Sequence, residues 1–264
     1  MCLAEVAMRK IAFVIALFLA LPAAAEDLSA GDIVKKASDG GTPDRLREKV
    51  TMTLIDAKGA ATKRELSIVR GRAGKSAVWN TRMEFESPKD VAGTVLLSLG
   101  KAAGTADQYL YLPGLKRVRR IGGSQRSGSF QGSDFAYEDL TTREIESADY
   151  RKLADEKVGS DECWQVEATP KKGVDTGYGR TVADIRKTDF LTVRVRFLDA
   201  KGGALKTLDV DPAKLKIDGE TRIPLHLEMK TAKDGHKTLL EVSAVEINPK
   251  IDEALFDPAS LDKG

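Results

Sequence analysis

Residues 108–140 read QYLYLPGLKRVRRIGGSQRSGSFQGSDFAYEDL, and the rest of the chain is arranged around them. Gln108–Leu112 alternates aromatic and aliphatic residues, a pattern that suits a strand covered on both faces. Pro113-Gly114 turns the chain, with Pro fixing φ and Gly free to take φ > 0. Leu115–Ile121 returns as a second strand carrying Lys116, Arg117, Arg119 and Arg120. A loop with Gly122, Gly123, Gly128 and Gly132 follows, and nothing in its composition stiffens it. It runs into an acidic-aromatic cluster of Asp134, Phe135, Tyr137, Glu138 and Asp139. A basic hairpin, a mobile loop and an acidic-aromatic plug make a candidate gate. The plainer alternative is an ordinary hairpin with a solvated basic face and a long surface loop.

Tyr111-Leu112-Pro113, Leu115–Ile121, Gly123-Ser124, Arg126, Gly128-Ser129-Phe130, Gly132–Phe135 and Tyr137–Leu140 together resemble the outer-membrane lipoprotein-sorting family, the larger relatives of the periplasmic LolA-type carriers. The match is long and specific for the family, and it contains no catalytic signature. The resemblance implies an unclosed antiparallel β-barrel with a lid of helices and loops over most of the mature chain. It also implies a job: moving lipoproteins or lipids between the inner and outer membranes of a Gram-negative envelope. An inner-membrane lipid exporter and an outer-membrane acceptor are the partners it suggests.

Residues 1–25 have the form of a secretory signal. Arg9 and Lys10 precede the apolar run Ile11–Leu21, which is short for a bilayer span, and Ala23-Ala24-Ala25 offers a small-residue cleavage site before Glu26. Met8 is an alternative start, since the residues before it add nothing to the signal. No Cys follows the apolar run, so no lipidated N-terminus is indicated. Removing 25 of the 264 residues leaves 239, and leaves Cys163 without a partner for a disulfide. Stability must then come from an apolar core. The 42 basic and 40 acidic residues become 40 and 39. A balance near zero argues against a general nucleic-acid binder. Residues 26–264 read as a single domain, with no linker and no repeat.

The mature chain is mainly β. Leu28–Ser38 is expected to be helical, capped by Ser29 and stopped by Gly40-Gly41. Strand-like stretches follow at Leu46–Ile55, Glu65–Arg70, Val78–Glu86, Arg151–Lys157, Cys163–Thr169, Thr181–Arg186, Leu191–Leu198, Leu205–Val210, Ile223–Lys230 and Thr238–Ile247, and Val91–Leu99 is apolar enough to be buried on both faces. Thr141–Ser147 has the composition of a short helix. The apolar phase of the last strand slips near Ala244-Val245, the mark of a bulge, and Phe256 is placed to anchor the tail. About ten or eleven strands at this spacing mean a meandering antiparallel sheet, a sandwich or a curved partial barrel.

The usual chemical constellations are missing. His226, flanked by Leu225 and Leu227, is expected to face solvent, and His236 follows a turn Gly. Neither has a Cys or acidic neighbour at metal-ligand spacing, so no metal and no cofactor is expected. Cys163 lacks the setting of a nucleophile. Gly74-Lys75-Ser76 imitates the end of a P-loop, yet Val69 stands where the first glycine belongs. Gly177-Tyr178-Gly179 lacks the third glycine of a dinucleotide fingerprint. Asp134, Glu138 and Asp139 are better explained as ion-pair partners of nearby arginines than as an acid/base pair.

An unclosed curved sheet can hold a hydrophobic ligand. Burying methylenes is worth ~0.8 kcal/mol each, so an acyl chain of about sixteen carbons resists crossing water by ~12 kcal/mol. The expected lipid-binding and gate residues are Tyr109, Tyr111, Leu112, Phe130, Phe135 and Tyr137. Arg117, Arg119, Arg120 and Arg126 are expected to meet Asp134, Glu138 and Asp139, or an anionic headgroup. An adaptor with a filled core and a hydrolase with an unfamiliar site are the competing readings.

Overall fold

The structure, a computed structural model, describes residues 28–39, 43–72, 78–101, 105–141 and 145–261. The signal-like segment 1–25, Gly40-Gly41 and Gly74-Lys75-Ser76 lie outside the described residues, as do residues 142–144 of the expected Thr141–Ser147 helix. Helix α1, Ala30–Asp39, is capped as its sequence foretells: the Asp32 amide donates to Ser29 Oγ at 3.1 Å.

Five strands open the sheet: β1 (Arg45–Ile55), β2 (Ala61–Arg72), β3 (Trp79–Ser87), β4 (Val95–Leu99) and β5 (Asp107–Leu112). Next come β6 (Arg117–Ile121), β7 (Ala148–Lys152), β8 (Glu156–Val158), β9 (Asp161–Pro170), β10 (Arg180–Arg186) and β11 (Thr192–Leu198). The last are β12 (Ala204–Val210), β13 (Leu215–Asp218), β14 (Thr221–Pro224), β15 (His226–Thr231) and β16 (Lys237–Ile247). Fourteen of these form one antiparallel sheet, in the order β6-β5-β4-β3-β2-β1-β16-β15-β12-β11-β10-β9-β7 with β8 also on β9. The path ends at β6 and β7, which do not pair with each other. The sheet is therefore an open half-barrel, as the LolA resemblance implied.

The strand count exceeds the expectation because two stretches break and because β13, Leu215–Asp218, was not expected as a strand. Arg151–Lys157 divides into β7 and β8, both paired to β9. Ile223–Lys230 divides at Leu225, so that β14 pairs with β13 in a separate ribbon. The bulge lies close to its expected place: β1 and β16 change register between Lys49 opposite Ala244 and Val50 opposite Val242, leaving Ser243 as the extra residue. Gly114 is not the residue that takes positive φ in the β5–β6 turn. Pro113–Leu115 forms a 3-10 turn closed by the Lys116 amide on Pro113 O at 3.1 Å, and Lys116 takes φ of 46°.

Period-two alternation places the core. On the inner face Val50, Met52, Leu66, Met83, Phe85, Leu96 and Leu110 pack together, and Phe130 sits among them with no exposed surface. On the outer face Val69, Val95 and Leu97 are covered by the chain's own tail, through Phe256 and Leu261. This double cover is why Val95, Leu96 and Leu97 are apolar in succession. Gly71 lets the tail pack closely here: a Cβ would stand 3.1 Å from the Phe256 ring. Phe130 is the side chain that ties the 122–141 segment into the sheet. Phe130→Ala should lower stability by ~3–5 kcal/mol, the range for emptying a well-packed aromatic site. Denaturant unfolding followed by Trp fluorescence should show the fall as a lower midpoint.

Candidate functional site

The segment from Gly122 to Thr141 is a fastened plug on the inner face of the sheet. Residues 129–136 form a tight turn, in which the Phe130 amide donates to Phe135 O at 2.7 Å and Ser133 Oγ to Phe130 O at 2.7 Å. Gln131 and Gly132 take φ of 51° and 76°, and glycine makes the second of these free of strain. The turn drives Phe130 against Phe85, ring centroids 5.5 Å apart, with Tyr137 edge-on at 5.6 Å. Arg64 donates to Gln131 O at 2.5 Å, and buried Gln108 donates to Tyr137 O at 2.8 Å. The loop expected to be unstiffened is thus held by contacts from β2, β3 and β5.

The acidic end grips the other half of the sheet. Asp134 accepts from Thr231 Oγ1 at 2.5 Å and Thr238 Oγ1 at 2.7 Å, and its Oδ2 lies 2.7 Å from His236 Nδ1. Lys206 donates to Asp139 at 2.5 Å and to Asp134 O at 3.0 Å, and the Tyr178 hydroxyl donates to Asp139 at 2.8 Å. Glu138 accepts from Thr176 Oγ1 at 2.5 Å and the Gly177 amide at 3.0 Å. The close approach at Gly177 excludes a side chain, since a Cβ would lie 2.8 Å from that of Ser127. Carboxylates this deeply buried need several donors to stay charged.

This corrects the expected pairing. Among the described residues, no ion pair joins Arg117, Arg119 or Arg120 to Asp134, Glu138 or Asp139. Arg117, Arg119 and Arg120 lie exposed on edge strand β6, where Arg120 instead meets Asp107 at 2.6 Å and holds that carboxyl below its usual range together with Lys101. Arg119 comes near enough to the plug to oppose, in small part, the rise that burial imposes on the Tyr137 phenol. Arg126 is buried, at 6 % exposure, and donates to Ala106 O at 2.8 Å.

Beside the plug lies a cavity of about 580 Å³. Its floor is the inner face of β9, β10 and β11, where Ala183 stands directly between Val166 and Val195 and Ala168 stands opposite Thr181. Val34 and Ala37 of α1 lie over it, and Arg126 and Glu138 form its plug side. The expected aromatic gate is elsewhere. Phe130 and Phe135 are core, Tyr109 and Tyr111 lie on the outer face under the C-terminal tail, and none of Tyr109, Tyr111, Leu112, Phe130, Phe135 or Tyr137 lines the cavity. Of the expected site residues only Arg126 and Glu138 reach it. The floor went unread because Ala168 and Ala183 are small, and smallness matters only where a facing surface stands off. His226 is also less exposed than expected, with 23 % of its side chain in solvent and Glu241 3.7 Å away.

An open antiparallel half-barrel with an internal plug and a largely apolar cavity is a LolA-like fold. The comparisons agree. A family model described as an uncharacterized protein matches residues 79–263, and the chain belongs to that family. A domain described as a candidate outer membrane lipoprotein-sorting protein, from Vibrio parahaemolyticus, has 28% identity and a TM-score of 0.82, over 88% of this chain and 98% of that one. A DUF1329 family protein from Desulfovibrio piger has 25% identity and a TM-score of 0.81, over 88% and 97%. A LolA superfamily protein from Nitrosomonas europaea shares the fold, at 17% identity and a TM-score of 0.68, over 88% and 99%. No curated protein matches the sequence.

Two measurements check this geometry. Lys206→Met leaves Asp139 buried beside an apolar chain, and breaking such a pair should cost ~3–5 kcal/mol. Urea unfolding of that variant and of Lys206→Met with Asp139→Leu should show the double variant recovering most of the loss. Cys163 is a free, fully buried thiol whose pKa is pushed up by burial and, secondarily, by Asp184. It should react with a thiol reagent at neutral pH only after denaturation, and rapid labelling of the folded protein would contradict this packing.

Proposed function

We propose that this protein is a periplasmic carrier that shelters the acyl chains of lipids or lipoproteins within its half-barrel. The cavity carries the reading. It has a mainly aliphatic floor and a volume of about 580 Å³, inside the ~300–1,000 Å³ range of small-ligand sites. An acyl chain leaving a membrane needs such a dry refuge, since each exposed methylene costs ~0.8 kcal/mol. The signal-like residues 1–25 and the similarity to lipoprotein-sorting domains support an envelope location. The carrier would take cargo from an inner-membrane lipid exporter and deliver it to an outer-membrane acceptor. The buried polar groups of the plug serve this role by holding the cavity wall in place, since their oxygens are engaged by partners within the chain.

Two outcomes are expected when the full chain is expressed with its leader and purified from the periplasm without detergent. N-terminal sequencing should begin near Glu26, and retention of Met1 or Met8 in a membrane fraction would oppose cleavage. Native mass spectrometry should show a co-purified lipid that Ala183→Phe, by filling the cavity floor, removes without loss of the β-sheet signal in circular dichroism. A protein free of lipid, with identical behaviour of the variant, would favour an adaptor without cargo.

A further inference from the structure

We infer that the cavity takes one acyl chain at a time, so that the cargo is a single-chain amphiphile, a fatty acid or a lysophospholipid. The inference rests on the carrier reading and narrows it. At about 580 Å³ the cavity lies mid-range among sites of ~300–1,000 Å³ that each bury one drug-sized ligand, a size that a single long acyl chain matches. The limit is set by how the plug divides the barrel. The part of the inner face under β1–β6 is filled by the protein itself, with Phe130 wholly buried, stacked on Phe85 and enclosed by Met52, Leu66, Leu96 and Leu110. The part under β9–β11 is where the cavity lies. The plug cannot easily yield its share, because Asp134, Glu138 and Asp139 bind it to Thr231, Thr238, Thr176, Tyr178 and Lys206.

The cavity has a direction as well. Ala168, Ala183, Val166 and Val195 line the sheet side, while Arg126, Glu138, Thr141 and Thr176 line the plug side. A single chain laid along the aliphatic floor would put its polar end beside the plug. Ala183 decides the width, since it stands directly between Val166 of β9 and Val195 of β11 and contributes only a methyl group.

The test uses the mature protein, delipidated and reloaded with a fluorescent single-chain fatty-acid probe. The competitors are hexadecanoate, palmitoyl lysophosphatidylglycerol, dipalmitoyl phosphatidylglycerol and a tripalmitoylated lipopeptide. Stoichiometry comes from native mass spectrometry. The two single-chain competitors should bind one to one and displace the probe, and the two-chain and three-chain ligands should do so at least about tenfold more weakly. A difference between the two single-chain competitors would tell a headgroup preference from a chain preference. Ala183→Leu should weaken hexadecanoate by about tenfold while sparing decanoate. Equal displacement by one-chain and two-chain ligands would overturn the single-chain limit and leave the carrier intact. Unchanged hexadecanoate binding in Ala183→Leu would overturn the placement in this cavity. Failure of all four ligands to bind would remove the carrier reading, and the inference with it.

Discussion

A buried carboxylate must find donors or lose its charge, and this requirement organises the inner face of the half-barrel. Asp134, Glu138 and Asp139 stand within six residues of one another, each nearly inaccessible to water, and each draws a different part of the sheet towards the plug. Asp134 engages β15 and β16, Asp139 engages β12 and Tyr178, and Glu138 engages the loop before β10. Without these bonds the three charges would repel one another in a poorly solvated space. With them, the plug is joined to strands up to 104 residues away in the sequence.

The same segment has an apolar end that satisfies a different requirement. An open sheet leaves its concave face partly uncovered, and Phe130 fills the part under β1–β6 with a ring stacked on Phe85. Aromatic packing of this kind adds about 0.5–1.5 kcal/mol beyond the area buried. The polar end and the apolar end together divide the concave face into a packed region and a cavity. Binding capacity is thus set by how much of the barrel the chain fills with its own side chains. The C-terminal tail does the equivalent work outside, covering Val95 and Leu97 with Phe256 and Leu261.

Edge strand β6 carries its charges for a separate reason. It ends the sheet with unpaired backbone groups, and Arg117, Arg119 and Arg120 give those groups a charged border that discourages pairing with another chain. An account of the hairpin as half of a charged gate therefore misassigns it: the arginines belong to the edge and the carboxylates to the interior. Lys206 pairs with Asp139 instead, from a strand on which Leu208 shares its face.

What the sequence by itself determined is what depends on neighbours along the chain. Strand alternation, the Ser29 cap, the bulge near residue 244 and the Phe256 anchor are all local patterns of size, polarity and spacing, and each is realised close to its expected place. The open-barrel architecture was legible through the long motif at residues 111–140, which the half-barrel encloses. The partners of Asp134, Glu138 and Asp139 were not legible, because nearby arginines look like their natural counter-ions until the sheet turns those arginines outwards. The cavity was not legible either. It is bounded by α1, β7, β9, β10, β11 and the plug, and its defining residues include alanines whose smallness has no effect on any local pattern. Only the tertiary structure decides which small side chain faces a gap and which faces a packed neighbour, because that depends on the distance between surfaces remote in sequence.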